Sequence, residues 1–164
     1  MTTGDFQPQP GPYGEPGGYP PPGAQHPGGL GIRFAARLID GIIVNIVAFV
    51  LAFAIDSVSN YWVTGLFSGL LMFLYFLAFE CTKGWTPGKK LLGLSVRGPG
   101  GALKPDVQQS AIRNVWTLLN IVPFIGGLLT LIAVIVIAVT INSSPTRQGW
   151  HDNFAGGTQV VKIG

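Results

Sequence analysis

Four ionisable residues stand in or beside apolar runs, where charge has to be used: Arg33, Arg37 and Asp40 near the start of the first run, and Asp152 just after the last. On a helix turning about 100° per residue, Arg33, Arg37 and Asp40 fall within roughly 60° of one another, so two cations and a carboxylate share one face. A charge at mid-bilayer costs about 2.5 to 3.5 kcal/mol on insertion scales, which directs Asp40 into a helix bundle or a wet cavity. The arginines are long enough to snorkel to headgroups or to pair with Asp40. The chemistry open to such a set is ion or proton relay, or a buried polar lock between helices. Asp152, in RQGWHDNFAGGTQVV, reads either as a cap feeding a final strand or as a carboxylate that returns to meet Arg33 or Arg37.

These residues have to be positioned by membrane helices. The chain is 48% hydrophobic and 10% charged, with a mean hydropathy of +0.44, against about 25% charged in an average soluble domain. The run from Arg33 to Asp56 is a first crossing. Tyr61–Phe79, free of charge and ending at Glu80 and Cys81, is a second, close to the roughly 20 residues one crossing needs. Within it Gly65 and Gly69, four apart, mark a face where another helix approaches closely. Asp56 and Glu80 are expected at helix ends, open to water. The segment 82–107 carries Lys83, Lys89, Lys90, Arg97 and Lys104, which by the positive-inside rule makes it cytoplasmic. Lys83, Lys89 and Lys90 are then expected to contact anionic headgroups.

Between Arg113 and Arg147 lie 33 uncharged residues, too many for one crossing of roughly 20 and too few for two full ones. Pro123 with Gly126 and Gly127 is the natural break. Either 107–142 is one kinked helix ending outside, or a partly inserted helix turns at PFIGG and a second segment returns to the inside; the charges after Thr146 favour the second. LLGLSVR and TQVVKI have strand character and are expected to pair at the cytoplasmic face. The fold class expected is an all-α membrane bundle of 3–4 transmembrane or membrane-inserted helices, about 34–55, 61–80, 107–121 and 126–142, with a short cytoplasmic β pairing. Residues 1–29, rich in Pro, Gly, Gln and Tyr and without the apolar content for a core, are expected to form a disordered cytoplasmic tail. No basic start leads directly into the first apolar run, so that run is expected to stay in the mature protein.

Other chemistries are poorly served. GWTPGKK lacks the spacing and the trailing Ser or Thr of a phosphate-binding loop. His26 and His151 have no metal-ligand spacing around them, and the single Cys81 excludes an internal disulfide. No serine sits in a nucleophile context, and the net charge of +3 comes without a stacking surface for bases, so the expectation is a non-enzyme with no cofactor, no metal and no nucleic-acid partner.

The ordered set R33FAARLID40, GWTPGKKLLGLSV, Arg113-Asn114 and HDNFAGGTQVV resembles the RDD family of integral membrane proteins, over roughly residues 31–162. The resemblance implies that Arg33, Asp40 and Asp152 are the arginine and two aspartates of the family's name, with Arg37 an extra cation. It names an architecture rather than an activity, with transport of an unidentified ligand the activity associated with it. Two roles follow for a cell-membrane protein with both termini cytoplasmic. One is an accessory or scaffold protein, partnered through the Pro-rich tail, in which the cluster locks helices together. The other is ion or small-solute transport, which in so thin a bundle requires a homo-oligomer.

Overall fold

The structure, a computed structural model, describes residues 26–163. Three helices are long and apolar enough to cross a membrane: α1 (Leu30–Ala54), α2 (Tyr61–Lys83) and α5 (Gly126–Ser143). Between them lie α3 (Pro87–Leu91), β1 (Leu94–Arg97), α4 (Val107–Asn114) and a 3₁₀ segment (Val115–Ile121); α6 (Trp150–Phe154) and β2 (Gln159–Lys162) close the chain. These bounds fall within a few residues of the expected helices, because the hydropathic runs are ended by specific chemistry. Asn60 caps α2 by accepting from the N–H groups of Trp62 and Val63, and Gly84, at φ 72°, ends it in the left-handed region.

α1 buries one stripe, Arg33, Ala36, Asp40, Val44, Ala48 and Ala52, at the spacing of a single helix face. Its other faces present Phe34, Leu38, Ile46, Phe49 and Phe53 outward, as an apolar solvent allows.

A fourth leg completes the bundle, and its geometry explains how so few residues make it. α4 starts in a capping box: Asp106 accepts from the Gln109 N–H at 2.7 Å, and the Gln109 side chain accepts from the Asp106 N–H at 3.0 Å. From Val115 the chain tightens to 3₁₀, with about 2.0 Å of rise per residue against 1.5 Å, so the fifteen residues of Val107–Asn114 and Val115–Ile121 climb about 26 Å. That is the length of α2 they follow. Ser110 reaches the Leu77 carbonyl near one end, and Phe124 packs on Tyr61, ring centroids 5.5 Å apart, at the other.

The glycine pair of α2 faces this leg. A Cβ on Gly65 would stand 3.0 Å from the Ile121 carbonyl oxygen, and one on Gly69 2.6 Å from Ile121 Cγ1 and 3.0 Å from its backbone nitrogen. Gly69→Ala should therefore cost about 1 to 3 kcal/mol by overpacking, measured as a loss of thermal stability in detergent; a neutral result would show that the two legs separate freely.

The break falls at the expected place for a partly different reason. The residue in the left-handed region is Phe124, φ 66°, not a glycine. Gly126 is required because a Cβ there would collide with the Leu119 carbonyl. The chain reverses, and α5 returns along the 3₁₀ segment.

β1 and β2 pair antiparallel, Leu94 opposite Lys162 and Arg97 opposite Gln159. Three residues expected in the tail, 26–28, belong to this layer. Pro27 bridges to Val161, the Gly28 N–H donates to the Val160 carbonyl at 3.0 Å and the Lys162 N–H to that of His26 at 2.8 Å, so residues 26–28 lie along the free edge of β2. The rest of the expected tail, residues 1–25, lies outside the described residues. Leu94, Val96 and Val160 pack on Ala36 with Ile32 and Leu92 against them. Both ends of the described chain thus sit on the same side of the bundle as the basic segment.

Candidate functional site

Beneath that β layer lies a buried chain of charges. α3 carries Lys89, α2 Glu80, α4 Arg113, α6 Asp152 and α1 Arg33. Lys89 Nζ donates to Glu80 Oε1, Glu80 Oε2 stands 3.3 Å from Arg113 Nε, Arg113 Nη1 donates to Asp152 Oδ1, and Asp152 Oδ2 stands 3.5 Å from Arg33 Nη1. All five residues are buried, the two carboxylates completely. Neutral donors complete the coordination. Asn114 donates to Glu80 at 2.9 Å, and Asp152 accepts from Thr158 Oγ1 at 3.1 Å and from the Gly149 N–H at 3.1 Å. Arg33 also donates to the carbonyls of Gly28 and Val160, both at 2.9 Å, which ties the β layer to α1. α6 is held in place by the Trp150 N–H, which donates to Thr140 of α5 at 3.1 Å.

Asp152 thereby does both things its sequence allows. It caps the start of α6 and meets Arg33, although its main partner is Arg113. Asp40 does not join this chain. It accepts from Tyr75 Oη at 2.7 Å, from Thr86 Oγ1 and from the Gly88 N–H at 2.7 Å, so the expected pairing with Arg33 or Arg37 is replaced by three neutral donors. The GWTPGKK motif serves this carboxylate. Thr86 supplies a hydroxyl, Pro87 sets the first turn of α3, and Gly88 admits the close approach, since a Cβ there would stand 2.9 Å from Asp40 Cγ.

Arg37 packs its guanidinium 3.5 Å over the Phe76 ring and 4.6 Å from that of Trp116, and donates to Asn114 Oδ1 at 3.1 Å. Two expectations need correction. Lys89 is 5% exposed and bound to Glu80, not in contact with headgroups. Glu80, expected to be wetted at a helix end, has no exposed surface, because Lys89 of α3 and Arg113 and Asn114 of α4 close over it. Lys83 and Lys90 do remain outside, 5.9 and 4.4 Å from the Trp85 ring.

Outside the spanning helices the electrostatics can be read group by group. Burial draws the Lys89 ammonium down to about 8, against the attraction of Glu80 and with Arg113 and Arg37 adding to the fall. Burial raises the Asp152 carboxyl, but Arg113, Arg33 and the Gly149 N–H outweigh it and hold the group below the usual range. His151, its Nε2 3.6 Å from Asp152, is drawn down to about 3 by burial, against Asp152 and with Arg113 and Arg37 assisting.

The unfolded histidine titrates near 6.5, so between the two values the unfolded chain binds the extra proton and stability falls with pH; above 6.5 none is lost. Acidification from about pH 7 to about pH 5 should cost about 2 kcal/mol through this residue. His151→Gln should flatten that part of the melting-temperature profile. An unchanged profile would mean that His151 is not buried in its neutral form.

A bundle of three apolar helices and a shorter fourth leg, closed at one end by an internal ion chain under a small β layer, defines an integral membrane protein. The model of the RDD family matches residues 27–156, and the chain belongs to that family. The match takes in Arg33, Asp40 and Asp152, and β2 lies beyond it. Neither a curated protein nor a solved structure matches the chain.

Proposed function

We propose that the protein is a non-enzymatic accessory or scaffold protein of the cell membrane, in which the ion chain locks the inner ends of the legs and the Pro-rich N-terminal segment recruits a protein partner. Both ends of the chain are assigned to the cytoplasm, on the side of Lys83, Lys90 and Lys104. The connections at the opposite end, 55–60 and 122–125, hold no Lys or Arg.

One observation carries the reading: every carboxylate of the site is already saturated. Asp40 accepts from three donors, Glu80 from Lys89 and Asn114 with the Arg113 guanidinium 3.3 Å away, and Asp152 from Arg113, Thr158 and Gly149 with Arg33 alongside. A cation- or proton-coupled carrier needs a carboxylate that can take up and release its ion in turn. A fully coordinated one serves better as a lock.

The test is to reconstitute the full chain in vesicles carrying a pH or sodium reporter and, in parallel, to crosslink partners in cells with and without residues 1–25. The proposal expects no flux and loss of partners on truncation. Flux that Asp40→Asn abolishes while the fold persists would replace it by transport through an oligomer.

A further inference from the structure

We infer that a cavity between α1 and α5 is a binding site for one anionic phospholipid, its phosphate held by Arg33, Arg37 and Trp116 and its acyl chain laid along α5. The cavity is about 100 Å³, several times the roughly 10 to 15 Å³ that a single water needs. Arg33, Arg37, Lys89 and Arg113 form one side. Val134, Ile137, Ala138 and Ile141 of α5, with Phe34 of α1, form the other. This is the division a lipid carries between headgroup and chain.

The cationic side is incompletely used. Arg33 Nη1, Arg37 Nη2 and Trp116 Nε1 are buried without a hydrogen-bond partner, and all three residues line this cavity. Arg33 Nη1 has the Asp152 carboxylate at 3.5 Å but no hydrogen bond to it. Leaving buried donors unpaired is costly, and a phosphate oxygen is an acceptor that satisfies several at once.

The charges agree. Of the four cations, Lys89, Arg113 and Arg33 share the two carboxylates Glu80 and Asp152, and Arg37 has no ion pair among the described residues. Asp40 is engaged by neutral donors. The site therefore has room for negative charge.

Position selects the lipid over a soluble anion. Leu30, Arg33 and Arg37 occupy the first two turns of α1 at the end where the chain enters the bundle, the level of headgroups. From there the wall runs about 10 Å towards the bilayer centre along α5, from Ile141 to Val134. Phe34, Leu131 and Ile135, on the outward faces of the two helices, are each more than half exposed, so the seam is flanked by surface suited to acyl chains. The inference stands apart from partner recruitment and would survive its failure.

The experiment is native mass spectrometry on the full chain, delipidated and returned to mixed micelles of phosphatidylglycerol or of phosphatidylcholine, with thermal unfolding in the same micelles and with inorganic phosphate as a third arm. One phosphatidylglycerol should be retained about tenfold over phosphatidylcholine, with a higher melting temperature. Arg37→Gln, which keeps the volume, and Ala138→Phe, which keeps every charge but fills the cavity, should each abolish the preference. Lys83→Gln with Lys90→Gln, outside the cavity, should leave it intact. If Arg37→Gln does not fold, Ala138→Phe decides. Equal retention of the two lipids, a preference that survives Ala138→Phe, or a thermal shift from inorganic phosphate as large as that from the lipid would each overturn the assignment.

Discussion

Replacing Arg113 by leucine should destabilise the protein by about 3 to 5 kcal/mol, the cost of removing one partner from a buried charge pair. Arg113 alone bridges the two carboxylates of the ion chain: its Nε stands 3.3 Å from Glu80, and its Nη1 serves both Asp152 and Thr158, the latter at 3.1 Å. Without it Glu80 keeps only Lys89 and Asn114, and Asp152 keeps two neutral donors, Thr158 and the Gly149 N–H, with one cation left, an arginine at 3.5 Å that makes no hydrogen bond to it. Arg113→Lys should recover only part of the loss, because an ammonium cannot present the rigid fork that reaches both acids. Thermal unfolding in one detergent checks the size. A cycle with Asp152→Asn checks the cause, since the double mutant should lose less than the sum of the single ones by about 0.5 to 3 kcal/mol. An Arg113→Leu protein within about 0.5 kcal/mol of wild type, the range of ordinary surface changes, would mean that water replaces the guanidinium and that the chain of charges is not a lock.

What was legible in the sequence was whatever a single segment decides by itself. The helices of 30–54, 61–83 and 126–143 follow from hydropathy, the turn before Gly126 from Pro123, and the β pairing from two short runs of strand character. The partners of the charges were not legible, because a helical wheel orders residues within one helix and says nothing about which neighbour covers them. Arg33, Arg37 and Asp40 do share a face, yet Asp40 looks towards α3 while Arg33 looks towards α6 and β2.

Glu80 could have been found. Eleven residues after Gly69, it lies about 20° from it on the wheel, and Gly69 was already marked as a contact face. A carboxylate on that face is covered by whatever approaches the glycines. Lys89 and Lys90 show the opposite case. They are adjacent, identical and equally basic, and the turn of about 100° between them on α3 sends one to Glu80 and the other to the surface beside Trp85. No pattern in GWTPGKK fixes which goes inward. That is decided by Gly88 docking on Asp40, a contact 48 residues distant in sequence.

That contact leads to the second large effect. Asp40→Ala should cost about 3 to 5 kcal/mol, since it strands the Tyr75 hydroxyl, the Thr86 hydroxyl and the Gly88 N–H, each worth roughly 1 to 3 kcal/mol when buried and unpaired and together less than additive. Asp40→Asn should cost less, because the amide oxygen can still accept from Gly88 and Tyr75 and the Thr86 hydroxyl can turn to accept from the amide. The loss should propagate, because α3 is pinned to α1 by this carboxylate and carries Lys89 to Glu80. Freeing α3 therefore exposes Glu80 as well. Two double mutants identify the partner. Asp40→Ala with Thr86→Val should be less than additive, whereas Asp40→Ala with Arg37→Gln should couple far more weakly, since neither a hydrogen bond nor an ion pair joins those two groups. The reverse result, coupling to Arg37 and none to Thr86, would mean that the carboxylate pairs along its own helix. α3 would then be held only by Lys89 and the β layer, and Gly88→Ala, which here drives a methyl group into Asp40 and the Ala36 carbonyl, would become a neutral change.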